Sequence, residues 1–194
     1  MKTLTLSAIV FLFCVLAESA SAQQFDVAFG VGTVSASSAK TVGALTFPSQ
    51  SGGAYPGFSA DFLLRHRFGI EGEMSWRASQ AMYGFQPYRP IFYSFNAIWV
   101  PRLNKNVSAE LLAGIGGEDV RFYGILNCNG FVGCTTYASS NHFMGDFGGG
   151  IRAYIWRNVF IRPEVRVYLI NNNVEFSSGH AIRYGGSLGI SFGR

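Results

Sequence analysis

The stretch that decides the fold is the last one, His180-Ala181-Ile182-Arg183-Tyr184-Gly185-Gly186-Ser187-Leu188-Gly189-Ile190-Ser191-Phe192. Read at every second residue, Ile182, Tyr184, Leu188, Ile190 and Phe192 fall on one face. Ala181, Arg183, Gly185, Ser187, Gly189 and Ser191 fall on the other. A period of two belongs to an extended strand, whose side chains alternate between its faces. One face here is bulky and aromatic, and the other is small, polar or cationic. A soluble sandwich buries its large face in a core. A membrane barrel turns that face to lipid and keeps the small and polar residues inside.

Upstream of this stretch the same pattern recurs seven times. The first segment runs Phe25 to Thr33, with Phe25, Val27, Phe29 and Val31 opposite Asp26, Ala28, Gly30 and Gly32. The second sets Phe58, Ala60, Phe62 and Leu64 against Ser59, Asp61, Leu63 and Arg65, and the third sets Ile70, Met74 and Trp76 against Glu71, Glu73, Ser75 and Arg77. Ile91 to Trp99, Val107 to Gly116, Phe143 to Ile155 and Val159 to Leu169 complete the set. The connections alternate between long (Ser35–Gly53, Ser79–Arg89, Glu118–Asn141, Ile170–Gly179) and short. In an up-and-down meander this puts every long connection at one end, the asymmetry of outer-membrane barrels with short periplasmic turns and long external loops. A Greek-key sandwich has no reason to alternate so. The expected fold is therefore all-β, an eight-stranded antiparallel up-and-down transmembrane barrel over residues 23–194. Pro163 lies inside a strand, where the missing N–H predicts a bulge or kink.

The amino terminus fits the same compartment. Met1-Lys2, the apolar run Leu6–Ala17 and the small-x-small triplet Ala20-Ser21-Ala22 have the order of a cleaved signal peptide over 1–22. No small residue stands just before Cys14, so no lipid anchor is expected. Hydrophobic residues make up 48% of the 194-residue chain and charged ones 13%, yet no later stretch is long enough for a helical span. Two cysteines remain, Cys128 and Cys134, and export makes a local disulfide the expectation.

The inward faces collect the acids Asp26, Asp61, Glu71, Glu73, Glu110, Asp146 and Glu164. They also collect the bases Arg65, Arg77, Arg152, Arg162, Arg166 and Arg183, with no lysine among them. Buried charge is tolerated when it is paired, and arginine's planar fork suits such pairing. Eight strands enclose a space that side chains just fill. The near balance predicts a packed ionic core rather than a diffusion pore. Trp76, Tyr93, Trp99, Tyr154, Trp156, Tyr168 and Tyr184 are candidates for interfacial aromatic girdles. The run Gly145-Asp146-Phe147-Gly148-Gly149-Gly150 lacks the Lys-Ser/Thr and helix of a phosphate loop, and reads as strand.

The leader, the eight amphipathic segments and the ending Gly189-Ile190-Ser191-Phe192 resemble the small outer-membrane barrels of the OmpA-transmembrane-domain and OmpX type. Arg162-Pro163-Glu164-Val165-Arg166-Val167-Tyr168 is similar to a penultimate-strand pattern of porin-like outer-membrane β-barrel domains. The resemblance implies residence in outer-membrane lipid and insertion by the barrel-assembly machinery. That machinery would read Tyr184, Leu188, Ile190 and Phe192, although Gly193-Arg194 follow the aromatic here. The peptidoglycan-binding domain of OmpA proteins has no counterpart here, so no role in cell-wall anchoring is expected.

A structural or surface-interaction role is the leading expectation, with an extracellular ligand contacted through the external loops. Phe131 and Val132, inside the cysteine loop, are the apolar tip. A lipid-modifying enzyme is the rival, drawing on Ser177, Ser178, His180, Glu175 and His142; Ser178-Gly179-His180 has the spacing that sets a base beside a nucleophile. A narrow porin is the third. His66, His142 and His180 lie on different segments, so no metal and no cofactor is expected. The arginines are interleaved with acids on inward faces, which excludes a nucleic-acid stripe.

Overall fold

A computed structural model describes residues 23–64, 67–129 and 133–193. The leader over 1–22, Arg65, His66, Phe131 and Val132 lie outside the described residues. The strands are β1 (Gln23–Ala36), β2 (Lys40–Val42), β3 (Leu45–Phe47), β4 (Tyr55–Leu64), β5 (Phe68–Trp76), β6 (Ala81–Tyr83), β7 (Gln86–Trp99), β8 (Val107–Asn129), β9 (Gly133–Tyr154), β10 (Val159–Ile170) and β11 (His180–Phe192). Each of β1, β4, β5 and β7 to β11 pairs antiparallel with its neighbours, and β1 pairs with β11. Eight strands thus form a closed ring. Closure removes the unpaired edge that lipid does not tolerate. The seam runs without a register shift from Phe25 opposite Phe192 to Ala36 opposite Ala181.

Outward residues are the large apolar ones. Phe29, Val31, Phe95, Ile115, Phe143, Tyr184, Leu188 and Phe192 are all exposed, Phe29 at 62%. Inward residues are buried, so the polarity is inverted relative to a soluble protein. Small residues make room for large ones inside. Gly148 lies opposite Arg166, whose Cγ is 3.1 Å from where a Cβ would stand, and the Phe160 ring occupies the space over Gly189.

Two expectations are corrected. Pro163 produces no bulge. The β9–β10 register is the same on either side of it, and the ladder to β9 simply skips Arg162 and Pro163. Glu118–Asn141 is not an irregular loop: β8 and β9 continue past the lipid-facing zone as a two-stranded ribbon, with one irregularity between Tyr123 and Asn127. The alternation fades there because outside lipid neither face must be apolar, whereas backbone pairing does not depend on side-chain polarity. β2–β3 and β6–β7 form smaller hairpins at the same end.

Candidate functional site

The lumen is layered from the short-turn end to the long-connection end. Leu63, Ile98, Val100 and Leu112 form an apolar plug near the short turns. Above it lies the ionic layer. Val34, Tyr55, Phe92, Met144, Tyr168, Ile170 and Ala181 close the lumen above that, with Phe92 and Tyr168 stacked at 4.9 Å between ring centroids. Tyr168 is therefore a lumen residue, as Tyr154 is, and neither belongs to an interfacial girdle. Trp99, Trp156, Tyr93 and Tyr184 do face outward and are exposed.

The ionic layer follows from the register. Asp26 lies opposite Asp61, and Asp61 opposite Glu71, so β1, β4 and β5 present three carboxylates side by side. Like charges directly opposite repel. Arginines reaching across from β9 and β10 neutralise them. Arg152 contacts Asp26 and Glu110, and its Nη2 is 2.6 Å from Asp61. Arg162 Nη1 lies 3.0 Å from Glu71, 3.2 Å from Glu110 and 3.4 Å from Asp61. Its Nη2 donates to Ser59 Oγ at 2.7 Å.

One level higher, Arg166 lies opposite Arg183 across β10 and β11. Two carboxylates each hold both guanidiniums. Glu73 is 2.5 Å from each, and Glu164 is 3.2 Å from each. Asp146 accepts from Arg166 at 3.1 Å, from Asn96 at 3.0 Å and from Ser94 at 2.8 Å. A void bordered by Ser59, Glu73, Arg162 and Arg183 has a volume of about 10 Å³, no more than one water's worth.

All seven predicted acids and the four arginines of β9 to β11 meet in this layer. Arg77 does not. It stands past the end of β5, near Tyr55 and Gly53 at the outer end. Among the described residues the layer holds seven carboxylates and four guanidiniums, and Arg65, another of the predicted bases, lies outside the described residues.

At the outer end, the connection 171–179 folds across the mouth. Phe176 packs on Tyr88 at 5.2 Å and edge-on to Tyr83 at 6.0 Å. Glu175 Oε2 is 3.1 Å from His142 Nε2, and Ser140 Oγ donates to Glu175 Oε1 at 2.5 Å. Ser177 N donates to Pro48 O at 3.1 Å, which ties this connection to that of β1 and β4. Glu118, buried beneath, accepts from the Gln50 amide. Sequence alternation gives no sign of Glu118 or Gln50 as a buried pair, because both lie where the lipid-driven pattern has stopped.

The serines and histidines do not assemble a nucleophile–base–acid relay. Ser178 Oγ lies 2.8 Å from His180 Nδ1, as the spacing suggests, but the other ring nitrogen faces Ser37 Oγ at 3.5 Å. Glu175 is committed to His142, on the same Nε2 that meets Ser140. A relay needs the acid on the nitrogen opposite the nucleophile. The ladder sets Cys128 across from Cys134, while Tyr184, Leu188, Ile190 and Phe192 all lie on the lipid face of the seam strand.

The fold is that of the small eight-stranded outer-membrane barrels. Neisserial surface protein A superposes with a TM-score of 0.60 at 10% identity, over 88% of this chain and 97% of that one. The amino-terminal β-barrel domain of Pseudomonas aeruginosa OprF gives 0.56 at 13%, over 88% and 98%. The Yersinia pestis attachment invasion locus protein Ail, in complex with the heparin analogue sucrose octasulfate, gives 0.55 at 14%, over 88% and 99%. No family model and no curated protein matches the sequence. At such identities the likeness is one of architecture.

Proposed function

We propose that the chain is an integral protein of the bacterial outer membrane with a structural or surface-interaction role, its specificity carried by the long connections. The observation that carries this reading is the filled lumen. A plug, an ion-paired layer and an aromatic layer follow one another, so the working surface is outside the barrel. The long connections there are built, not slack. The β8–β9 ribbon stands beside the β6–β7 hairpin, whose tip exposes Met82 and all of Phe85. Leu45, Val42 and Val174 are exposed at the same end.

In this reading the leader over 1–22 is removed on export, and barrel-assembly machinery receives the seam strand through Tyr184, Leu188, Ile190 and Phe192. Cys128 and Cys134 close the ribbon tip as a disulfide, supported by their opposed positions on the ladder. The non-enzymatic role draws support from His180, whose ring meets Ser178 and Ser37 and, among the described residues, no carboxylate. The charged layer is a scaffold, not a conductor. The sulfated sugar of the Ail structure makes immobilised heparin the first probe for the outer surface.

The test is fractionation followed by gel mobility. The protein should sediment with the outer membrane and migrate differently before and after boiling. A protein recovered in the soluble periplasmic fraction with unchanged mobility overturns the reading.

A further inference from the structure

The two ends of the barrel differ in charge. The short connections span residues 65–67, 100–106 and 155–158, and none contains an aspartate or glutamate. Arg67, Arg102, Lys105 and Arg157 lie in them, and all four are exposed. Inside the lumen, Asp26, Asp61 and Glu110 are held by Arg152 and Arg162. At the opposite end, Arg121 is paired with Asp119 at 2.9 Å, and Glu118 and Glu175 stand close by.

The cations are held on one stiff rim. Val100 N donates to Arg67 O at 2.6 Å, Tyr154 N to Asn106 O at 2.8 Å, and Ser191 N to Asn158 O at 2.7 Å. These backbone bonds tie the three short turns and the last strand together. A band of large side chains runs alongside: Phe68, stacked on Trp99 at 6.1 Å, with Leu103, Trp156 and Phe192, all exposed. Aromatic residues outside a barrel mark the depth of the lipid headgroups. Cations at that depth meet headgroup phosphates, and lysines and arginines beside a membrane attract anionic lipid.

We infer that the short-turn rim is a docking surface for anionic phospholipid headgroups of the periplasmic leaflet, built from Arg67, Arg102, Lys105 and Arg157 beside the Trp99–Trp156 band. This rests on the outer-membrane reading above. A compact free anion would need donors converging on one point, whereas these sit on separate turns around a ring. That distribution suits a shell of lipids.

The experiment is lipid selectivity of the full chain from residue 23, reconstituted in phosphatidylcholine vesicles. Spin-labelled phosphatidylglycerol and spin-labelled phosphatidylcholine report the fraction immobilised at the protein. Phosphatidylglycerol should be favoured about fivefold, the effect of one cation at an anionic surface, and the preference should collapse in concentrated salt. The variant R67Q/R102Q/K105Q/R157Q should lose the preference while keeping its boiling-dependent mobility. R89Q/R121Q, at the other end, should retain it. A vesicle-borne, heat-modifiable protein that shows no preference, or a preference unmoved by salt, overturns the lipid surface alone. A quadruple variant that still prefers phosphatidylglycerol also overturns it. A chain that stays outside the vesicles with unshifted mobility overturns the barrel reading as well.

Discussion

Removing the Arg152 guanidinium tests whether the lumen is held together by its ion pairs. Arg152 is fully buried and holds Asp26, Asp61 and Glu110. In Arg152→Met, Asp61 and Glu110 keep Arg162 at 3.4 and 3.2 Å. Asp26 keeps only the Gln24 amide, at 2.8 and 2.9 Å, and among the described residues has no second cation. Methionine still covers the Phe160 ring, which Arg152 overlies at 5.3 Å, so packing changes little and charge changes most. Stranding a buried charge lowers stability by about 3–5 kcal/mol. Asp26→Asn alone keeps the Gln24 neighbour and leaves Arg152 two carboxylates, lowering stability by about 1–3 kcal/mol. The double variant should therefore be more stable than Arg152→Met by at least about 1 kcal/mol, a coupling of the size expected for direct contact. Urea unfolding of vesicle-reconstituted protein, followed by tryptophan fluorescence and gel mobility, measures all three midpoints. A loss under about 1 kcal/mol for Arg152→Met, or a double variant no better than the single, refutes the account.

Other outcomes follow from the same geometry. In planar bilayers the wild-type protein should show no stepped conductance, because the Leu63–Ile98–Val100–Leu112 plug and the ionic layer fill the lumen; regular open steps would contradict this. Ser178→Ala and His180→Ala should leave lipid A acylation unchanged in mass spectra of the outer membrane, and an altered acyl pattern would revive the enzyme reading. Cys128→Ser/Cys134→Ser should lower stability by no more than about 2 kcal/mol, since the closed loop is short, and should speed proteolysis at the ribbon tip. Gly189→Leu, which places a side chain where the Phe160 ring stands, should abolish the heat-modifiable form, whereas Gly186→Ala on the outer face meets open space and should keep it.

Much of this was legible in the sequence because lipid imposes a strict alternation. Every outward residue from Phe25 to Val31 and from Tyr184 to Phe192 could be read from the period of two, and so could the acids and arginines of the ionic layer. What alternation cannot convey is how far an inward side chain reaches. Arg77 sits on the inward parity, yet it lies past the end of its strand and meets Tyr55 instead of a carboxylate. Parity alone therefore places Arg77 among the lumen charges when its side chain serves the outer end. Where lipid ends the signal ends too, so the ribbon of Glu118 to Asn141 and the Gln50–Glu118 pair left no trace. Pro163 costs less than its missing N–H suggests, because the ladder to β9 carries no pair there and the register survives.

The seam joins Phe25 to Phe192, the start of the barrel to its end. Translation delivers those partners first and last. Through the whole interval the free edge of β1 has donors and acceptors with nothing to pair them but water or another protein. In hydrocarbon each such group costs several kcal/mol. The first strand therefore cannot commit to the bilayer ahead of the others, and a ribosome stalled anywhere before residue 180 yields a chain with no route into the membrane on its own.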